Sequence, residues 1–485
     1  MATIRHGDLV IEVPDDLSPD EVAVRDLPDD DPLAQALSAA DDLALVHKVT
    51  ITIDRPLIRT VEASTSGRPV APLLRVRSVG DGDVLLCERG GCYSWATHRG
   101  TPPDDDHVSA VRPTVFDEPR RGEPELSIRL AAVGSAVPNT MQVFGIRLQR
   151  PMTGDVVAAL ESRIVRPSLV EIADSDPRTW MPIRPADVGF GSGTNRVVLL
   201  VHGTFSTTRT GFGWRETGWR AVLDDLIGAE DTTVLGFTHR TLSEDPEQNA
   251  RQLVALLDQL RADRIDLDIL TYSRGALVAR SAIELVGLPV GVVVRDVTML
   301  GGPNAGTLLA DRSNWSTLLD LYTTLLADVI RRFAGAAGGA AAQRVLTLIF
   351  AVVKGIIDQA LDAEQVPGLA AMTPGSAFLD RLNAGSAPDG GVTYSTVVTD
   401  FEPSEVADMP QQLSAALARI ADEVVDPLMG DAANDLVVDV GSMSRVDGAD
   451  LATTDIYRIP SSSGTHHLSY LLTDESLRVV AQLLD

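Results

Sequence analysis

The apolar and polar positions in the first part of the chain follow a pattern typical of antiparallel strands. Short segments alternate apolar and polar residues, as strands with one buried face do, and polar, proline-containing segments such as residues 101–106 separate them. The predicted strands are residues 49–53, 73–79, 84–87, 126–130 and 141–146. We therefore expect a β-rich accessory domain over residues 1–184, with a short helix near residues 33–45.

The pattern changes after a glycine-rich segment at residues 189–195. Continuous apolar runs of strand length then alternate with helical segments, which predicts a mainly parallel sheet covered by helices on both faces. The predicted strands are residues 196–201, 232–238, 267–272, 292–300, 392–399 and 453–459, and the predicted helices are 246–262, 274–286, 410–425 and 474–484. The expected fold class is α/β over residues 196–485, with residues 185–195 as a linker.

Ser273 lies at the junction of a predicted strand and a predicted helix. The strand ends at Tyr272 and the helix begins near Arg274, so a sharp turn would push the serine hydroxyl out of the sheet. The first N–H groups of the helix favour negative charge developing beside that hydroxyl. This arrangement of strand, turn and helix is a nucleophile elbow, and it predicts acyl transfer by a serine.

A serine nucleophile needs two partners further along such a chain. Its hydroxyl reacts poorly unless an imidazole takes the proton, and a carboxylate must fix the tautomer of that imidazole. In hydrolases built on this elbow, the acid and the histidine both follow the serine in the chain. Of the eight histidines only His466 and His467 follow Ser273, so the base is one of these two.

Four segments, in chain order, make residues from about 195 to 485 resemble a serine α/β-hydrolase of the bacterial lipase and esterase type. They are residues 198–205 (VLLVHGTF), the elbow at 271–275 (TYSRG), residues 301–307 (GGPNAGT), and the pair 434–438 (NDLVV) and 466–468 (HHL). The resemblance implies an α/β-hydrolase fold with a mainly parallel sheet, preceded by the β-rich accessory domain. It also implies that residues 307–390 form a helical cap or lid insertion.

The resemblance also suggests which residues form the catalytic triad. Ser273 is the nucleophile, and His467 is favoured as the base because the residues after it resemble those after the lipase histidine. Asp435 matches the acid of the lipase segment. Asp400, directly after the predicted strand 392–399, is the alternate acid, and His466 is the alternate base.

The oxyanion hole is expected to consist of backbone N–H groups. The resemblance implies the amide of Arg274 together with that of Thr204, or that of Phe205 if the turn is shifted by one residue. Each such donor stabilises the transition state by roughly 3–4 kcal/mol. His202 and Gly203 would support the turn, with His202 acting through hydrogen bonds and without proton transfer.

Two residues at the elbow depart from the lipase pattern. Thr271 stands where a glycine is usual, and a β-branched side chain there would crowd the close approach of strand and helix. Tyr272 stands where histidine is common. These departures keep open the alternative that the hydrolase fold is catalytically weak or inactive and serves as a binding or scaffold protein.

Composition narrows the set of partners. The net charge of −27 argues against nucleic acid, whose phosphates need a basic surface, and disfavours electrostatic docking on an anionic membrane. We expect no secretory signal and no transmembrane segment, which leaves transient contact with a membrane surface as the remaining membrane role. Nearly all the basic residues are arginine, as in proteins of GC-rich bacteria.

Cysteine usage favours a reducing compartment. Cys87 and Cys92 flank a short glycine-containing turn and are expected to be reduced thiols, facing each other across two strands. A zinc site would need two further ligands, and His98 and His107 are weak candidates for that role. We therefore expect no metal, no cofactor and a cytoplasmic location.

The expected activity is hydrolysis of carboxylic esters, with a small-molecule or lipid ester as substrate. Residues 318–326 and 345–353 of the cap are apolar enough to line an acyl cavity, although helices packed in a core show the same pattern. An acyltransferase that uses an acceptor other than water is a further alternative. The sequence leaves open whether a protein partner binds the accessory domain.

Overall fold

The computed structural model describes most of the chain. The described residues are 2–15, 17–27, 31–38, 42–53, 73–79, 83–89, 91–96, 125–129, 140–149, 155–214, 217–333, 338–357, 364–384, 391–407, 409, 411–446, 449–452 and 455–485. The proline-containing segment 101–106 and both weak zinc-ligand candidates, His98 and His107, lie outside these residues.

Two antiparallel sheets form the first part of the chain. The first contains strands β1 (Ala2–His6), β2 (Leu9–Val13), β5 (Leu73–Ser78) and β8 (Glu125–Arg129), in that order. The second contains β3 (Val22–Asp26), β4 (Leu43–Ile53), β9 (Thr140–Leu148), β6 (Val84–Arg89) and β7 (Cys92–Trp95). Leu9, Ile11, Ile51 and Val143 belong to one apolar cluster shared by the two sheets.

The hairpin of β6 and β7 places the two cysteines differently from the sequence-based expectation. Arg89 pairs with Cys92, and Cys87 pairs with Ser94. The two thiols therefore do not face each other across the strands. Burial raises the pKa of the Cys87 thiol to about 12, so this thiol stays protonated and unreactive at neutral pH.

The second part of the chain is built on one large, mostly parallel sheet of eight strands. Six neighbouring strands pair in parallel. Each of the two strands at one edge pairs antiparallel with the strand on its inner side. The order is β11 (Met181–Pro182), β10 (Ser168–Glu171), β13 (Thr232–Thr238), β12 (Thr194–Val201), β14 (Arg264–Tyr272), β15 (Val292–Leu300), β16 (Thr393–Thr399) and β19 (Ile456–Ile459). The prediction of a mainly parallel sheet is thus confirmed.

The described residues also form α-helices. They are α1 (Pro32–Ser38), α2 (Val156–Ile164), α3 (Thr208–Phe212), α4 (Trp219–Gly228), α5 (Pro246–Leu257), α6 (Gly275–Arg280), α7 (Trp315–Phe333), α8 (Gly338–Ile357), α9 (Pro367–Ala370), α10 (Ala377–Leu382), α11 (Gln411–Ile420), α12 (Asp426–Met429), α13 (Val440–Met443) and α14 (Asp474–Leu484). A short two-stranded sheet, β17 (Arg445–Val446) and β18 (Ala449–Asp450), completes the set of elements described here.

Strand β12 shows why the sheet is covered on both faces. Its side chains alternate between two apolar clusters, so that Leu199 packs with α5 and α6 on one face, while Leu200 packs with α4 and α14 on the other. Both residues are fully buried. A strand buried on both faces has a continuous apolar sequence, as the run before His202 does.

The large sheet begins before the segment expected to be a linker. Strand β10 pairs with β13, and β11 pairs with β10, although both precede residues 185–195. Within that segment Pro185–Asp187 is a 3₁₀ turn, and Thr194 and Asn195 already belong to β12. The β-rich sheets and the large sheet are instead separated in the chain by α2.

Helices α7 and α8 lie between β15 and β16 in the chain and pack against the β-rich part. The backbone N–H of Tyr93 donates to Thr324 Oγ1 at 2.9 Å, and the indole N–H of Trp95 donates to Thr323 Oγ1 at 2.8 Å. The backbone N–H of Trp95 donates to Asp320 Oδ1 at 2.8 Å. Strand β7 is therefore hydrogen-bonded along one face of α7.

None of the helices in the described residues combines the length and the apolar character needed to cross a bilayer.

Candidate active site

The carboxyl ends of three adjacent parallel strands bring the predicted residues together. Val201, the last residue of β12, pairs with Thr271 of β14, and Tyr272 pairs with Leu300 of β15. The turn after β12, the elbow after β14 and the Gly301 turn after β15 therefore lie at one edge of the sheet. Ligand sites of open α/β sheets occur at this edge.

Ser273 adopts the strained backbone of an elbow. Its φ is +52°, a left-handed conformation that is uncommon for a residue with a side chain. Its backbone N–H donates to the carbonyl of Leu300 at 2.8 Å, which fixes the turn against β15. The residue lies between β14 and α6 in the chain and is only 3 % exposed.

Thr271 fits at the elbow because glycines at other positions make the close contacts between the elbow and its neighbouring elements. A Cβ atom at Gly275 would lie 2.2 Å from the carbonyl oxygen of Val201, and one at Gly203 would lie 2.7 Å from Ser273 Cβ. These two glycines let α6 and the turn after β12 approach the elbow. The Thr271 hydroxyl donates to the Thr298 carbonyl on β15 at 3.3 Å, so its side chain is accommodated on the neighbouring strand.

Ser273, His467 and Asp435 form a continuous hydrogen-bonded chain. Ser273 Oγ lies 2.9 Å from His467 Nε2, and His467 Nδ1 lies 2.8 Å from Asp435 Oδ2. His467 and Asp435 are fully buried. In this geometry the Nδ1–H of the imidazole donates to the carboxylate, which leaves Nε2 to accept the serine proton.

The carboxylate of Asp435 is oriented by its own loop. Its Oδ1 accepts hydrogen bonds from the backbone N–H groups of Val437, at 3.0 Å, and Val438, at 2.8 Å. Its Oδ2 also accepts from the Tyr470 hydroxyl at 3.1 Å. The two oxygens are thus held in distinct environments, and only Oδ2 faces His467.

The alternate acid and the alternate base lie elsewhere. Asp400 is exposed and accepts a hydrogen bond from the backbone N–H of Asn434 at 3.1 Å, so it stabilises the loop that carries Asp435. His466 Nδ1 accepts from the backbone N–H of Leu468, and its Nε2 lies 3.5 Å from Asp328 on α7. Neither side chain replaces a member of the chain around Ser273.

The amides expected to form the oxyanion hole differ in availability. The N–H of Phe205 donates to Thr241 Oγ1 at 3.2 Å. Within the described residues, the amides of Thr204 and Arg274 have no intramolecular acceptor. Of the two sequence-based options, the geometry therefore favours Thr204 with Arg274 over Phe205 with Arg274.

His202 lies buried in the turn after β12 and is hydrogen-bonded through both ring nitrogens. Its Nε2 accepts from the backbone N–H of His239 at 3.1 Å, so the ring proton is on Nδ1, which lies 3.0 Å from the Gly203 carbonyl. Burial lowers the pKa of His202 to about 3. The imidazole is therefore neutral at physiological pH and holds the turn in place.

Tyr322 on α7 is a site residue that the sequence analysis missed. Its ring lies 5.9 Å from that of His467 in an edge-to-face contact, and its side chain lines the cavity next to Tyr272. Burial raises the pKa of the phenol, which keeps it a neutral donor. Tyr322 lies within an apolar helical run without any local motif, so its proximity to Ser273 has no signal in the sequence.

An apolar cavity lies next to Tyr272, the residue before Ser273. It is lined by Thr204, Ser206, Thr210, Gly211, Trp214, Tyr272, Tyr322, Leu326, Val329, Ile330, Val345, Leu468, Tyr470 and Leu471. Its apolar walls come largely from α7 and from the loop that follows His467.

The described part of the chain contains no cluster of metal ligands. No group of three or more histidine, cysteine, aspartate or glutamate side chains there is placed to hold an ion.

This protein therefore has a serine, a histidine and an aspartate linked by two consecutive hydrogen bonds at the carboxyl edge of a mostly parallel sheet. Residues 167–485 match the family described as a domain of unknown function, DUF7379, and the chain belongs to that family. No curated protein matches the sequence.

Several solved structures are similar to this chain at low identity. The mature form of the Bacillus licheniformis lipase BlEst2 is 15% identical over 62% of this chain and 96% of its own, with a TM-score of 0.37. The metagenomic carboxyl esterase MGS0156 is 16% identical over 62% of this chain and 79% of its own, with a TM-score of 0.33. Lipase 1 from Pelosinus fermentans is 12% identical over 60% of this chain and 97% of its own, with a TM-score of 0.40.

Proposed function

We propose that this protein is a serine hydrolase of the α/β-hydrolase type that cleaves carboxylic esters through an acyl-enzyme. The observation that carries the proposal is the hydrogen-bonded chain from Ser273 through His467 to Asp435, with distances of 2.9 and 2.8 Å. Nucleophile, base and acid also occur in the chain order that this fold uses.

In the first half of the reaction, Ser273 Oγ attacks the ester carbonyl while His467 Nε2 takes its proton. The N–H groups of Thr204 and Arg274 donate to the oxyanion of the tetrahedral intermediate. His467 then gives the proton to the leaving alcohol, and the ester bond breaks to leave the acyl group on Ser273. Throughout, Asp435 stabilises the imidazolium without itself becoming protonated.

In the second half, water replaces the alcohol. His467 removes a proton from the water, the resulting hydroxide attacks the acyl-enzyme, and Ser273 recovers its proton as the carboxylic acid leaves. The Tyr322 ring packs edge-to-face against the His467 imidazole at 5.9 Å, and this contact helps to hold the base beside Ser273.

The proposal extends to the substrate and to the organisation of the chain. We assign residues 307–390 as a cap and the β-rich part as an accessory domain that supports it. The side chains of Leu326, Val329 and Val345 from the cap line the cavity next to Tyr272. These walls favour an apolar acyl group, and a long acyl chain would enter only when the cap side chains move apart.

Labelling with a fluorophosphonate tests the catalytic proposal. We expect the full-length protein to be labelled at Ser273, identified by mass spectrometry, because an activated serine attacks the phosphorus and an ordinary one does not. Ser273→Ala should not be labelled, whereas Ser476→Ala, which removes another buried serine hydroxyl, should be labelled like the wild type. Absence of label from folded wild-type protein would favour the scaffold alternative.

A series of nitrophenyl esters tests the substrate class. We expect kcat/KM to rise from acetate to octanoate, because each buried methylene contributes about 0.8 kcal/mol. Leu326→Trp, which fills the cavity, should reduce octanoate hydrolysis more than acetate hydrolysis. A preference for acetate that is unchanged by Leu326→Trp would contradict an apolar acyl pocket in this cavity.

A further inference from the structure

We propose that Glu161, which lies outside the family-matched region, is a positioning residue for the oxyanion hole. It acts through Thr241 on the turn that carries Thr204 and Phe205. This inference rests on the proposed function, because an oxyanion hole has a role only if Ser273 attacks a carbonyl.

The carboxylate of Glu161 is enclosed by donors from a single loop. Its Oε1 accepts from the backbone N–H groups of Thr241, at 2.6 Å, and Leu242, at 2.9 Å. Its Oε2 accepts from the backbone N–H of Ser243 at 2.7 Å and from the hydroxyl of the same residue at 2.6 Å. The carboxylate is fully buried, so these bonds replace its hydration.

The loop held by Glu161 follows strand β13 and lies next to the turn after β12. The Thr241 hydroxyl is the link between them. It lies 3.2 Å from Glu161 Oε1 and 3.2 Å from the backbone nitrogen of Phe205. Because a carboxylate only accepts, the hydroxyl proton points at Glu161, and an oxygen lone pair is then directed at the Phe205 N–H.

This link determines which amide of the turn remains available. Phe205 has a φ of +57°, an uncommon conformation for a bulky side chain that needs support from its surroundings. With the Phe205 N–H donating to Thr241, the N–H of Thr204, which has no acceptor within the described residues, is the donor left for an oxyanion. Glu161 therefore selects the register of the turn, the point that the sequence analysis left open.

The negative charge of Glu161 is electrostatically favourable near the Arg274 guanidinium. Burial lowers the pKa of the Arg274 guanidinium to about 10, and the negative charge of Glu161 opposes this lowering. Arg274 supplies the other expected oxyanion N–H through its backbone, and its Nη2 donates to the Glu244 carbonyl at 2.6 Å. Glu161 thus holds the loop that supports the turn, and Arg274 bonds to the same loop through Glu244.

The test compares Glu161→Gln with an isosteric change at the link, both in the full chain. Glutamine presents an NH₂ group to a site made of donors, so Thr241 should lose its fixed orientation. Thr241→Val removes the acceptor of the Phe205 N–H while keeping the shape of the side chain. We expect each variant to lower kcat for nitrophenyl butyrate by about tenfold or more with KM nearly unchanged, since the oxyanion exists only after attack.

Two variants provide matched controls. Thr241→Ser keeps the hydroxyl and should retain most of the wild-type kcat, and Glu171→Gln changes an exposed carboxylate on β10 and should have no effect. Affinity for a trifluoromethyl ketone inhibitor should fall in parallel with kcat, because this compound forms a tetrahedral oxyanion on the serine. Circular dichroism and thermal unfolding report whether each variant is folded.

The outcomes separate this inference from the proposed function. If wild-type protein hydrolyses esters and Thr241→Val lowers kcat while Thr241→Ser does not, the inference is supported even if Glu161→Gln fails to fold. If folded Glu161→Gln and Thr241→Val both keep the wild-type kcat and inhibitor affinity, Glu161 is only structural and the inference is wrong. A wild-type protein without fluorophosphonate labelling or esterase activity would overturn the proposed function, and this inference with it.

Discussion

Replacement of His467 by alanine is expected to lower kcat for ester hydrolysis by about 10⁴-fold or more, the loss typical when the base of such a triad is removed. Within the described residues, His467 is the side chain hydrogen-bonded to Ser273 Oγ, so without the imidazole no base is in place to accept the serine proton. Steady-state hydrolysis of nitrophenyl butyrate and the rate of fluorophosphonate labelling both measure this loss.

The neighbouring histidine provides the control. His466→Gln keeps a side-chain N–H that can face Asp328, which lies 3.5 Å from His466 Nε2. We expect this variant to be somewhat less stable, because both groups are buried, and to retain labelling at Ser273. If His466→Gln lost labelling and His467→Ala kept it, the assignment of the base would be reversed.

Replacement of Asp435 by asparagine is expected to lower kcat by about 10⁴-fold, although the side chain keeps its size. The N–H groups of Val437 and Val438 require an acceptor at the position of Oδ1, so the asparagine oxygen is held there. Its NH₂ group then takes the position of Oδ2 and faces His467 Nδ1. That nitrogen must accept, the ring proton moves to Nε2, and the imidazole can no longer take the serine proton.

The alternate acid distinguishes this effect from general disturbance of the loop. Asp400→Asn keeps a carbonyl oxygen that can accept from the Asn434 N–H, so we expect near wild-type kcat. Unfolding in urea checks that both variants are folded to the same extent. A wild-type rate for Asp435→Asn together with a large loss for Asp400→Asn would identify Asp400 as the acid.

The residues that the structure brings together around Ser273 have sequence signals that are local or follow from chain order. A continuous apolar strand before a turn and a helix marks the elbow, and the scarcity of histidine after Ser273 leaves two candidates. The choice between Asp435 and Asp400 depends on which loop reaches His467. That is a tertiary property, and the sequence alone left it open.

The doubt attached to Thr271 shows the limit of a motif. The motif asks for a small residue because two elements approach closely, but it does not say which pair of residues makes the closest approach. In this chain Gly203 and Gly275 lie at the close contacts, and the Thr271 side chain lies toward β15. A threonine at this position is therefore compatible with an elbow.

The edge of the large sheet and the distant supports of the site lacked a sequence signal. Strands β10 and β11 contain four and two residues, too few to show a period. Glu161 and Tyr322 lie on helices and reach the site through contacts far apart in sequence. From sequence alone, a charged residue on a helix is expected to be exposed to solvent. The fold shows instead that Glu161 is buried against a loop 80 residues away.

The hydrogen bonds between β7 and α7 limit which segments of such a chain can be exchanged by recombination. The helix that carries Tyr322 to the nucleophile is bonded to Tyr93 and Trp95 of the β-rich part. Recombination that exchanged the N-terminal sheets for those of a relative would break these bonds unless the helix were exchanged with them. The N-terminal sheet and helix α7 would therefore have to be exchanged together to preserve the cavity wall that contains Tyr322, although most strands of the large sheet lie between them in the chain.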